Sequence, residues 1–148
     1  MATQTQYCTF FVGGLYFGID VLLVQEVIRT LEMTRVPLAP PAIKGLINLR
    51  GQIVTAIDLR TAMGLSARPE DETPMNVVIR SDEGAISLLV DEIGDVIETD
   101  ASTFEPPPET LTSAARAITK GVYKLPDRLL LVLDAARAVS VESLAGCH

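Results

Sequence analysis

The apolar residues of this chain arrive in short runs broken by turn signals at close intervals, and that spacing narrows the choice of fold more than any other property of the sequence. Tyr7 to Val12 and Leu15 to Ile19 flank Gly13-Gly14, a pair suited to the positive φ angles of a tight hairpin turn. Leu46 to Leu49 and Ile53 to Ile57 flank Arg50-Gly51, and Met75 to Ile79 and Ala85 to Val90 flank Ser81-Asp82-Glu83-Gly84. Late in the chain, Ile118 to Tyr123 and Leu129 to Leu133 flank Leu125-Pro126-Asp127-Arg128. These hairpins hold most of the apolar residues, so the chain reads as all-β with short helices rather than as a bundle or a βαβ repeat. Leu129 to Leu133 is apolar at every position, which requires cover on both faces of that strand. A closed barrel, or paired barrels, supplies it.

Three short helices fit between the strands. After Asp20, a suitable N-cap, Val24, Val27 and Ile28 recur at helical spacing while Gln25, Glu26 and Arg29 fall on another face. Asp58 to Met63 is bounded by an N-cap aspartate and by Gly64, and Asp134 to Leu144 follows the last strand. Leu65 to Pro74, with its charges and prolines, is the expected junction between halves of the molecule, and Phe104 to Glu109 is an extended loop around three prolines. The similarity of Leu22-Leu23-Val24-Gln25-Glu26-Val27 to Leu88-Leu89-Val90-Asp91-Glu92-Ile93 weakly favours two related halves.

At 148 residues one compact unit is expected. Twelve basic against nineteen acidic residues leave a net charge of −7, which repels nucleic-acid phosphates and anionic lipids, so no nucleic-acid partner is expected. The apolar run from Phe10 to Ile19 is too short for a membrane span and is interrupted by glycines, and no basic region precedes it as in a signal peptide. A cytoplasmic protein without membrane insertion is the expectation. Cys8 and Cys147, near opposite ends, read as free thiols.

Chemistry is scarce. The single histidine is His148, and phosphate loops, nucleophile elbows and dinucleotide fingerprints are absent, so no catalytic residue, cofactor or metal is expected. Asp91-Glu92-Ile93-Gly94-Asp95, with Glu98 and Asp100, lacks the ligand spacing of a calcium loop and reads as a strand with a solvated face. A small hydrolase or ligand-binding barrel built on that acidic face is the rival reading. Asn48-Leu49-Arg50-Gly51 carries more weight. It is either a plain hairpin turn with a solvated arginine, or a rigidly presented guanidinium able to fork onto a partner's carboxylate or carbonyls.

Taken in order, several runs resemble the CheW coupling-protein family of bacterial chemotaxis: Phe17-Gly18-Ile19-Asp20, Val24-Gln25-Glu26-Val27, Arg35-Val36-Pro37, Pro40-Pro41-Ala42-Ile43-Lys44-Gly45 and Asn48-Leu49-Arg50-Gly51-Gln52-Ile53-Val54. They continue through Ile57-Asp58-Leu59-Arg60, Leu89-Val90-Asp91-Glu92-Ile93, Ile118-Thr119-Lys120-Gly121 and Leu133-Asp134. The resemblance implies one domain over residues 1–148, made of two intertwined SH3-like five-stranded β-barrels around a shared hydrophobic junction, without enzymatic activity. It implies an adaptor that binds chemoreceptor (methyl-accepting chemotaxis protein) cytoplasmic tips and the regulatory domain of a CheA-type histidine kinase, recruited to membrane-associated receptor arrays and controlling autophosphorylation. A close variant serves a non-flagellar chemosensory system. Matched by motif, Val24, Glu26, Val27, Lys44, Gly45, Asn48 and Arg50 fall on the receptor side, and Val77, Ile86 and Leu88 fall, less securely, on the kinase side. One departure is Thr55-Ala56, where the family usually has a proline before an aliphatic residue. It restores a backbone donor and bears on how that strand pairs.

Overall fold

A computed structural model describes residues 4–29, 32–66, 68–69, 71–81 and 84–139. The strands are β1 (Gln4–Val12), β2 (Leu15–Asp20), β3 (Val24–Ile28), β4 (Ile43–Leu49), β5 (Gln52–Asp58), β6 (Met75–Ser81), β7 (Gly84–Val90), β8 (Glu92–Asp100), β9 (Thr119–Lys124) and β10 (Leu129–Leu133). The short helices are α1 (Leu59–Ala62), α2 (Ser113–Ala117) and α3 (Ala135–Ala138), with single 3₁₀ turns at Val21–Leu23 and Ala101–Thr103. They form two five-stranded sheets, ordered β8-β1-β2-β10-β9 and β3-β6-β7-β5-β4. The chain passes from the first sheet to the second between Asp20 and Val24, and returns at Asp91.

Strand alternation explains why the apolar runs are continuous. In β1 and β2, Cys8, Phe10, Val12, Leu15, Phe17 and Ile19 point into one shared core, which also takes Met75, Val77 and Ile79 of β6 and Ile86, Leu88 and Val90 of β7. The opposite faces fill separate, smaller cores. Tyr7, Tyr123, Leu130 and Val132 pack together in the first sheet, and Ile47, Leu49, Val54, Ala56, Val78 and Leu89 in the second. Leu131 and Leu133 therefore look into the junction while Leu130 and Val132 look away from it, and both faces of β10 are buried as its composition demands.

Each sheet also brings its outer strands together. In the second sheet, Ile28 of β3 packs against the core formed by Ile47 and Leu49 of β4, the strand at the opposite edge. In the first, the chain leaving β8 returns along β9, where Glu105 and Val122 exchange backbone hydrogen bonds of 2.9 and 2.7 Å. Phe104 then lies across Tyr123 with ring centroids 5.2 Å apart.

The hairpins form where expected, and the structure corrects two other expectations. Val24 to Ile28 is a strand, not a helix. Asp20 does cap, accepting from the Leu22 amide at 2.9 Å, but it caps only one 3₁₀ turn before the chain extends and pairs with β6. Two β-branched valines and an isoleucine in five residues satisfy a sheet better than an unsupported helix. The segment 65–74 does not separate the sheets, because β5 and β6 on either side of it share one sheet. Two five-stranded units do form, but the similarity of Leu22–Val27 to Leu88–Ile93 does not mark them, since it sets a 3₁₀ turn and edge strand against a strand that ends at Val90. Thr55 pairs with Leu46 on one side and Ile86 on the other, so β5 is interior to its sheet, where a backbone donor in place of proline is at home. The helix expected from Asp134 is observed over Ala135–Ala138, and its continuation to Leu144 lies outside the described residues, as do Asp82, Glu83, Cys147 and His148.

Candidate functional site

The β4–β5 hairpin turns on Arg50 and Gly51, whose φ angles are +53° and +87°. That double left-handed conformation is the two-residue turn whose twist matches the flanking strands. Glycine adopts it without cost, whereas arginine does so only with strain. The Gly51 amide donates to Asn48 Oδ1 at 2.9 Å, so the side chain of Asn48 closes the turn. Arg50 is thereby held out from the sheet, its side chain 68% exposed, and its Nη2 donates to Glu26 Oε2 on β3. The pair spans the two outer strands of the sheet. The guanidinium keeps other donors free for a second acceptor, since one carboxylate oxygen takes only part of its fork.

Three large aliphatic side chains are exposed on the elements of this sheet or beside them, and the register puts Val27 on the opposite face of β3 from Glu26. Ile53, two residues beyond the turn, is 60% exposed, Val27 is 38% exposed, and Leu22 before β3 is 78% exposed. Residues 53 and 55 must point outward once 54 and 56 point into the core, so counting from the turn would have marked Ile53 from sequence. Lys44 is exposed and sits at a bulge in β4, the extra residue between Ile43 and Gly45.

The remaining receptor-side residues divide. Glu26, Val27, Lys44, Asn48 and Arg50 lie on the surface of this sheet, with Glu26 partly covered. Val24 instead packs against the shared core, because a bulge at Gln25 breaks the register between it and Glu26. Gly45 is buried. A Cβ built there would stand 2.7 Å from the carbonyl oxygen of Thr34, whose backbone exchanges 2.9 and 2.8 Å hydrogen bonds with Leu46. Its lack of a side chain lets the chain before β4 lie against the strand, which is a structural duty.

The kinase-side expectation for Val77, Ile86 and Leu88 is corrected. They are 1%, 7% and 0% exposed and belong to the shared core, because β6 and β7 are interior strands whose junction-facing positions are these three. The acidic run divides too. Glu92, Asp95 and Glu98 are exposed along the outer strand β8, whereas Asp91 is drawn inward by two arginines. Among the described residues, no group of three or more histidine, cysteine, aspartate or glutamate side chains is placed to hold a metal ion. Likewise, no helix among them is long and apolar enough to cross a membrane. The Cys8 thiol is pushed up in pKa by burial and by the Asp20 charge, which makes it a poor nucleophile.

Two closed β-units sharing one core, with an arginine presented on a rigid turn, define a small β-barrel scaffold. Residues 6–143 match the CheW-like domain model, and the chain belongs to that family. It is 32% identical over 140 residues to the chemotaxis protein CheW of Klebsiella aerogenes, covering 95% of this chain and 84% of that protein. To the chemotaxis protein CheW of Bacillus subtilis it is 30% identical over 141 residues, covering 95% and 90%. The crystal structure of the scaffolding protein TtCheW from Thermoanaerobacter tengcongensis superposes with a TM-score of 0.80 at 28% identity, covering 88% of this chain and 89% of that one. The fold class is accordingly that of two SH3-like five-stranded barrels, and the protein is a chemotaxis scaffold of the CheW type.

Proposed function

We propose that this protein is a non-enzymatic, cytoplasmic adaptor that couples the cytoplasmic tips of chemoreceptors to a CheA-type histidine kinase, joins membrane-associated receptor arrays, and controls autophosphorylation. The observation that carries the reading is the Glu26–Arg50 pair, held by a strained turn, with Ile53 exposed two residues beyond it. An exposed ion pair contributes little to folding, and a left-handed arginine costs something, so the arrangement is better explained by what it presents to a partner. Val27, Lys44 and Asn48 are exposed on strands of the same sheet, and exposed Ile53 gives a partner helix apolar area near a forked donor. Such an adaptor controls its kinase only if its contacts differ in free energy between signalling states, since equal binding to both moves no equilibrium.

The test is a titration of Arg50→Glu and Arg50→Ala proteins against a receptor cytoplasmic fragment and against the kinase. Reversal of the charge is expected to weaken receptor binding at least about tenfold, equivalent to roughly 1.4 kcal/mol, while the circular dichroism spectrum is unchanged. Unaltered binding to both partners would remove this surface from the interface.

A further inference from the structure

The single charged residue at which the chain returns from the second barrel to the first is Asp91, and it is gripped from both sides. From the first barrel, the Gly13 amide in the β1–β2 turn donates to Asp91 Oδ2 at 2.7 Å, and the Asp91 amide donates to the Phe11 carbonyl at 2.9 Å. From the second, Arg60 of α1 forks onto the carboxylate, Nε to Oδ1 and Nη2 to Oδ2, both at 2.8 Å. Arg68 adds Nε to Oδ1 at 2.9 Å and reaches Asp58 at 3.2 Å, while Asp58 accepts from the Arg60 amide at 2.9 Å. The four side chains are only 8–16% exposed. Among the described residues, two arginines and two aspartates balance one another, Arg60 Nη1 also donates to the Ser66 carbonyl at 3.2 Å, and Glu72 adds a negative charge near Arg60, so the arginines call for no anionic ligand.

We propose that this cluster is an orientation clamp, which sets the angle between the two barrels and is not retained for stability. The shared core holds the barrels together, but apolar contact is non-directional and tolerates small slides of one packed face over another. A forked guanidinium–carboxylate contact is directional, with two parallel hydrogen bonds that a few degrees of rotation would break. Ion clusters out of water often contribute less to stability than apolar residues of equal size, and their best-attested gain is a unique geometry. The cluster also stands where a change in angle would pass between a surface on the second barrel and the rest of the molecule. That consequence rests on the adaptor reading, whereas the clamp itself does not.

The test therefore uses the isolated full-length protein. Spin labels on Gln52→Cys in the second barrel and Glu98→Cys in the first, with Cys8 and Cys147 replaced by alanine, report the inter-barrel distance distribution by pulsed electron resonance. The decisive protein carries Arg60→Met, Arg68→Met, Asp58→Asn and Asp91→Asn together, which keeps the amide-acceptor oxygens and removes every charge. It is expected to melt within a few degrees of wild type while its distance distribution broadens at least about twofold or shifts. A folded quadruple variant with the wild-type distribution would overturn the clamp, and so would failure of that variant to fold, since the cluster would then be a stabilising element. Loss of receptor binding at Arg50 leaves this outcome untouched, so the two readings fail separately.

Discussion

Two ion pairs in this protein use the same chemistry in opposite surroundings. Arg50–Glu26 stands on a surface turn with the arginine 68% exposed, and Arg60–Asp91 lies in the junction at 16% and 14%. Solvent screens the first and leaves its groups able to exchange one partner for another. The second keeps little contact with water and is held by fixed donors, so removing one member strands the others. The exposed pair is suited to recognition, and the buried one to geometry.

The sharpest way to break that contrast is to neutralise one member of each. Asp91→Asn leaves two arginines without their shared acceptor and is expected to lose about 3 kcal/mol, a fall in Tm of roughly 10 °C by thermal circular dichroism. A loss as small as that expected at Arg50 would show that the two pairs are energetically alike.

Acid gives a second measure of the same pair. Burial pushes the Asp91 carboxyl up, but hydrogen bonds from Arg60, Gly13 and Arg68 outweigh it and leave the group below its ordinary value. A carboxyl with a depressed folded pKa stabilises the fold above its unfolded pKa of about 3.9, and that contribution is lost as pH falls through the folded value. In urea melts across pH 6 to 2, the wild-type advantage over Asp91→Asn should shrink as pH falls below about 4. An advantage that is independent of pH would assign the effect of the substitution to packing.

Gly45 sharpens the comparison from within the surface region. Gly45→Ala places a methyl group against the Thr34 carbonyl at 2.7 Å, where the obstacle is backbone. We expect about 2 kcal/mol of destabilisation in equilibrium unfolding, with any loss of receptor affinity recovered at lower temperature as the fold is restored. The smallest effect on folding is expected at Arg50→Ala, within about 0.5 kcal/mol of wild type in the same measurement, despite its loss in the binding titration.

Much of this was legible in the residues. The Gly13-Gly14 and Arg50-Gly51 turns, the runs around them and the unbroken Leu129 to Leu133 stretch predict hairpins buried on two faces, and they form. Val24 to Ile28 was not legible, because a five-residue apolar pattern fits a helix turn or a strand equally and only the neighbouring β6 decides between them. Val77, Ile86 and Leu88 carry no mark that separates a sticky surface from a core, since either use calls for aliphatic residues.

What the sequence determined by itself is local: where the chain turns, which segments extend, and that its strands need cover on both sides. Those follow from backbone sterics and from apolar spacing, which act over a few residues. Tertiary structure alone decided which strands share a sheet, which aliphatic side chains remain on the surface, and which of the charges meet. Asp91 and Gly13 are far apart in the chain, as are Arg50 and Glu26, and no short-range rule pairs them. Their contacts exist because two sheets close and pack on one core, and that closure depends on every strand at once.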